Sequence, residues 1–170
     1  MSDRYTHATW LSAALNQKKL KKLIRRAAPR IKKFRKKHPF DAIAFTGMSG
    51  TLVAPVISYE LDIPLIMVRK SCHDSADCHN VSGYGSASRY VILDDLVSSG
   101  KTLRNIYQQV SHFYSYSLYS NSSPDLVGIM LYSTNDCSCC DLDITPRSIY
   151  GTLRNWLSPT GGQLPALKLD

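Results

Sequence analysis

Read for spacing alone, the chain switches between two hydrophobic periods. Leu20, Leu23, Ile24, Ala27, Ile31 and Phe34 recur every three or four residues with Lys and Arg between them. This spacing predicts an amphipathic helix with one apolar stripe. Pro29 within it predicts a kink or the start of a second helix. The run from Phe40 to Phe45 reads as a first strand, Leu52 to Leu61 as a helix, and Ile63 to Val68 as a second strand. Pro55 is expected near that helix's first turn, where a missing N–H matters least. Val91-Ile92-Leu93 reads as the end of a buried strand. Leu103 to Phe113 follows as a helix, with Leu103, Ile106, Tyr107 and Val110 on one face, and Leu126 to Tyr132 is the last clear strand. The segment from Ser71 to Arg89 has no apolar period and carries Gly83, Gly85 and many Ser residues, so it reads as a mobile loop or loose hairpin. Tyr114 to Pro124 is a Ser- and Tyr-rich connection.

Strands alternating with helices in this way predict an α/β fold, an open, largely parallel twisted sheet flanked by helices, with ligands outside the carboxyl ends of the strands. A chain of 170 residues suits one domain with a sizeable core. We divide it into a basic N-terminal helical segment (1–39), a core (40–132) and a C-terminal segment (133–170).

Composition narrows the setting. With 44% hydrophobic and 20% charged residues the chain is globular. No stretch approaches a membrane span and the N-terminus lacks an apolar signal core, so a cytoplasmic location and no membrane partner are expected. The five cysteines, with Cys137-Ser-Cys139-Cys140 clustered, do not form an extracellular disulfide framework. Cys72-His73 and Cys78-His79 add soft ligands, but the spacing matches no standard zinc pattern, and free thiols are the preferred reading. Charge is uneven. Residues 1–40 hold 13 Lys and Arg against one acid, a net of +12, whereas residues 41–170 hold 8 against 12, a net of −4. Such a helix suits nucleic acid or another anionic surface. It equally suits a solvated helix whose charge serves solubility or steers anionic substrate. The absence of interleaved aromatic residues favours the second reading.

The chemistry concentrates in Val91-Ile92-Leu93-Asp94-Asp95-Leu96-Val97-Ser98-Ser99-Gly100-Lys101-Thr102-Leu103. Small residues before a helix let backbone N–H groups converge on a phosphate at the helix's positive end. Two carboxylates beside a phosphate need other partners, such as sugar hydroxyls or the waters of a divalent cation. A phosphorylated sugar meets both demands. A P-loop is excluded, because its first Gly would fall at Asp95. Thr46-Gly47-Met48-Ser49-Gly50-Thr51 is a second phosphate-loop candidate after the first strand, and Arg69-Lys70 ends the second strand.

The acid pair with its Gly-Lys-Thr turn resembles the phosphoribosyl-pyrophosphate motif of type I phosphoribosyltransferases. Over about residues 40–110 the order of loop, basic pair and acid pair is similar to orotate and adenine phosphoribosyltransferases. The resemblance implies a pyrophosphate loop at Thr46, Gly47, Met48, Ser49 and Gly50, with Arg69 and Lys70 neutralising pyrophosphate. Asp94 and Asp95 would hold the ribose hydroxyls and the water ligands of Mg2+, while Ser98, Ser99, Gly100, Lys101 and Thr102 would bind the 5-phosphate. It also implies a closing flap at 71–89. The chain departs from better-known members there, offering His73, Asp74, Asp77, His79, Ser82 and Tyr84. The catalytic candidates are therefore Asp94, Asp95, Arg69, Lys70 and, from the flap, His79. A small variable hood formed by 133–170 and the N-terminus would hold the base, with Tyr132, Asp136, Asp141 and Trp156 as candidates by position. The implied function is Mg2+-dependent transfer of a 5-phosphoribosyl group from phosphoribosyl pyrophosphate to a nucleobase nitrogen by a homodimer. The alternative is a phosphoribosyl-pyrophosphate-sensing regulator that binds nucleic acid through the basic helix.

Overall fold

The computed structural model describes residues 11–69, 80–95, 100–115, 123–132 and 164–169, and the structural statements below concern these residues. The element order is α1 (Ser12–Leu15), α2 (Gln17–Lys37), β1 (Ala42–Thr46), α3 (Gly47–Leu61), β2 (Leu65–Val68), β3 (Val81–Gly83), β4 (Arg89–Asp94), α4 (Lys101–Ser115), β5 (Asp125–Leu131) and β6 (Ala166–Lys168). The six strands form one sheet in the order β3-β2-β1-β4-β5-β6. Every neighbouring pair is parallel except β2 with β3, where Met67 lies opposite Ser82.

Alternation along the central strands assigns the two faces. Ala42, Ala44, Tyr90, Ile92, Ile129 and Leu131 point to the side where α4 lays down Leu103, Ile106, Val110 and Tyr114. Ile43, Phe45, Val91, Leu93, Met130 and Tyr132 point to the other, where α2 contributes Leu23, Ile24, Ala27 and Ile31 and α3 contributes Val53, Ala54 and Ile57. Each large aliphatic side chain so covered contributes about 1.5–3 kcal/mol. The strands read as unbroken apolar runs because both faces are buried.

α2 follows its periodic pattern. Asn16 caps it, its side-chain oxygen accepting the N–H groups of Lys18 at 3.0 Å and Lys19 at 3.1 Å. Contrary to a second helix starting at Pro29, α2 runs unbroken through that residue. The missing N–H deprives the carbonyl of Arg25, and both residues lie on the exposed face, where water serves instead. Pro55 uses the same device inside α3, opposite exposed Thr51. It sits well beyond the expected first turn, because α3 begins at Gly47 and not at Leu52. α3 ends at Asp62, whose left-handed backbone (φ 51°) donates its N–H to the Ser58 carbonyl.

At the amino-terminal edge of the sheet, the Asp41 carboxylate ties the start of β1 to that of β4. It accepts the N–H groups of Ser88 and Arg89 at 3.0 and 3.1 Å and the Ser88 hydroxyl. β3 bears out a hairpin-like return after β2. β6 has no counterpart in the hydrophobic pattern, being three residues that become a strand by pairing with β5. Among the described residues no helix is long and apolar enough to cross a membrane.

Candidate functional site

The direction of the chain reverses between β1 and β4. From β1 it crosses through α3 to β2 on one side; from β4 it crosses through α4 to β5 on the other. A crevice outside the carboxyl ends of such a strand pair is where open α/β sheets bind ligands. At both junctions a helix begins beside that crevice.

At the first junction β1 passes straight into α3, so Gly47–Gly50, expected to be a loop, form the helix's first turn. Gly47 makes this possible with φ 63°, a conformation costly for any side chain with a Cβ. Thr46 stands at the capping position but makes no side-chain cap; its hydroxyl donates to the Val68 carbonyl on β2 at 2.5 Å. The opening N–H groups of α3 therefore keep their affinity for an external acceptor, and the helix dipole adds to it. Met48 is 64% exposed, whereas Gly50 is buried against Phe45.

At the second junction Asp94 closes β4, Asp95 follows it, and Gly100 (φ 71°) precedes Lys101, the first residue of α4. Lys101 is exposed and Thr102 half-buried. The two carboxylates are not equivalent. Asp94 is only 6% exposed, and its Oδ1 accepts the Asp95 N–H at 2.9 Å and the Ser49 hydroxyl at 3.3 Å. Burial, reinforced by the charge of Asp95, pushes the Asp94 carboxyl up to about 8. Asp95 remains half-exposed at the crevice.

Tyr132 joins the two junctions. Its hydroxyl donates to the Ser49 carbonyl at 2.9 Å and its N–H to the Asp94 carbonyl at 3.3 Å. The ring is 1% exposed and burial drives the phenol upward from its ordinary value. This corrects its expected place among the candidates, chosen by position, for holding the base, because a ring packed in the core has no face to offer one. Nothing in the sequence signals a hydrogen bond across 83 residues.

Arg69 follows β2 half-buried, its N–H donated to the Asn80 carbonyl at 2.8 Å. Thus Thr46, Gly47, Met48, Ser49, Gly50, Arg69, Asp94, Asp95, Gly100, Lys101 and Thr102 all lie at the carboxyl edge of the sheet, on or just beyond the ends of β1, β2 and β4. Lys70, His79, Ser98 and Ser99 fall outside the described residues, as do Asp136, Asp141, Trp156 and the Cys/His groups. Among the described residues no group of three or more His, Cys, Asp or Glu side chains is placed to hold a metal ion. Asp95 offers one half-exposed carboxylate, a hard oxygen ligand of the kind Mg2+ takes through water, while the Asp94 carboxyl lies buried beside it.

No protein-family model matches the chain. It is 32% identical over 99 residues to an orotate phosphoribosyltransferase of Methanosarcina mazei, covering 58% of this chain and 51% of that protein. It is 28% identical over 113 residues to an adenine phosphoribosyltransferase of Burkholderia vietnamiensis, covering 54% and 58%. The chain thus spans about half the length of the curated relatives it matches. In fold it is similar to a solved orotate phosphoribosyltransferase of Francisella tularensis (TM-score 0.60, 15% identity), covering 92% of this chain and 68% of that one. The chain is similar in fold to phosphoribosyltransferases and similar in sequence to them over little more than half of its length. The named sequence relatives are orotate and adenine enzymes.

Proposed function

We propose that the protein transfers a 5-phosphoribosyl group from phosphoribosyl pyrophosphate to a nucleobase nitrogen, releasing pyrophosphate. The observation that carries this reading is the pairing, at one crevice, of two helix starts with a carboxylate pair between them. The start of α3 would take the pyrophosphate and the start of α4 the 5-phosphate, each through backbone N–H groups. Asp95, half-exposed, would accept the ribose hydroxyls, and Asp94 would fix its backbone from beneath. Positive charge develops at the ribose carbon as pyrophosphate departs; positioning the donor between two fixed anion sites lowers the barrier without a protein nucleophile. Mg2+, when bound through Asp94 and Asp95, would neutralise charge on the leaving pyrophosphate. Arg69 and Lys70 would assist in this, and His79 and its neighbours would supply the closing flap. A homodimer, a cytoplasmic setting and a role in nucleotide salvage belong to the same reading.

The test is pyrophosphate release from phosphoribosyl pyrophosphate and Mg2+ with adenine, guanine, hypoxanthine, xanthine, orotate or uracil. Release with one base establishes the transferase and its acceptor. Donor binding by calorimetry without release from any base would sink transfer and leave a sensor.

A further inference from the structure

α2 presents an exposed face lined with cations. The helix is about 30 Å long from its rise per residue, holds 12 Lys and Arg, and contains no acid. That is roughly one positive charge per 2.5 Å, against one negative charge per about 1.7 Å of nucleic-acid duplex. Its apolar stripe, Leu23, Ile24, Ala27 and Ile31, is buried on the sheet. The cations at 18, 19, 21, 22, 25, 26, 30, 32, 33, 36 and 37 are all exposed. Among the described residues no carboxylate pairs with Lys18, Lys19, Lys21 or Lys22.

We infer that this face docks double-stranded nucleic acid through its phosphates, without reading bases. Three features select that partner. The charge lines one unbroken helix at a density comparable to that of a duplex, so binding would release many counterions. The apolar stripe is already used by the core, so no face remains to enter a lipid interface as an amphipathic membrane helix does. α2's only aromatic residue, Phe34, packs toward the core against Phe40, so single strands find no stacking platform along the helix. In the sequence the absence of interleaved aromatic residues favoured a solvated or substrate-steering face; the unbroken helix through Pro29 is what aligns the cations into one surface.

The experiment is fluorescence anisotropy of the full chain with labelled duplexes of about 30 bp, in two unrelated sequences, across a salt series. Both sequences should bind alike, with log affinity falling against log salt at a slope of about −5 or steeper. Replacing Lys18, Lys19, Lys21 and Lys22 together by Gln should reduce that slope by about 3–4 while circular dichroism and the thermal midpoint stay unchanged. Should that variant lose helix, replacement of Lys32, Lys33, Lys36 and Lys37 by Gln carries the same expectation. Absence of binding at low salt, or an unchanged slope in a folded variant, overturns the inference. So does tighter binding to phosphatidylserine vesicles than to duplex.

Discussion

The two strand-to-helix junctions at the centre of the sheet present a helix start to the same crevice by different means. At the first, α3 begins on the residue after β1, and rigidity comes from what surrounds it: Thr46 bonded to β2, Gly50 wedged on Phe45, Ser49 held by Tyr132. At the second, residues 95–100 separate β4 from α4, leaving room for a charged side chain at the mouth. The first junction can offer only backbone donors in a fixed place; the second can add a carboxylate that meets hydroxyls or a hydrated cation. A leaving group needs a fixed site, and a sugar needs directional acceptors.

The largest expected effect lies beneath the second junction. The Asp94 carboxyl is raised from 3.8 to about 8 in the fold, so between these values the unfolded chain is ionised and the native protein protonated. The stability gained by burying it neutral is full below pH about 4 and is lost as pH rises toward 8, at up to about 1.4 kcal/mol per pH unit. Asp94→Asn keeps an acceptor for Asp95 N–H and the Ser49 hydroxyl but removes the titration. Urea midpoints in metal-free buffer should therefore converge near pH 4 and separate in favour of the variant by several kcal/mol by pH 8. Parallel curves would mean that Asp94 is ionised in the fold. Asp95→Asn should leave stability nearly unchanged and weaken donor binding by about 1.5–3 kcal/mol, the worth of a charge-assisted hydrogen bond. Calorimetry with phosphoribosyl pyrophosphate and Mg2+ reads this, and wild-type affinity would remove Asp95 from the site.

At the first junction the decisive quantity is space. A Cβ on Gly50 would lie 2.8 Å from the Phe45 Cβ, so Gly50→Val must push the start of α3 off the sheet at about 1–3 kcal/mol. A wild-type unfolding midpoint would show that the turn can relax outward. This junction is also where sequence and structure diverge most. Gly-Met-Ser-Gly has the composition of a loop, and only the packing of Gly50 on Phe45 and the left-handed Gly47 make it a helix start. The central strands were legible because their apolar runs are buried on both faces, and the acid pair because it falls where such a run stops. β6 was not legible, since Ala166–Lys168 owes its strand state to β5. Tyr132 was visible as a residue but not in its role, which depends on a partner that only the folded sheet brings near.

Tyr132 also gives the smallest and most discriminating effect. Its hydroxyl joins the Ser49 carbonyl, and Ser49 in turn donates to Asp94, so one side chain couples the helix start at β1 to the carboxylate at β4. Tyr132→Phe removes that hydrogen bond and keeps the ring in the core, so stability should fall by only about 0.5–1.5 kcal/mol. If the bond positions the first junction, the loss must fall unequally on ligands. Affinity for pyrophosphate, which the start of α3 would hold, should drop several-fold. Affinity for ribose 5-phosphate, held by the start of α4, should barely change. A double-mutant cycle with Ser49→Ala, titrated with pyrophosphate, should then return a coupling energy above about 0.5 kcal/mol. Equal losses for both ligands and additive mutants would reduce Tyr132 to a packing residue and leave the two junctions mechanically separate.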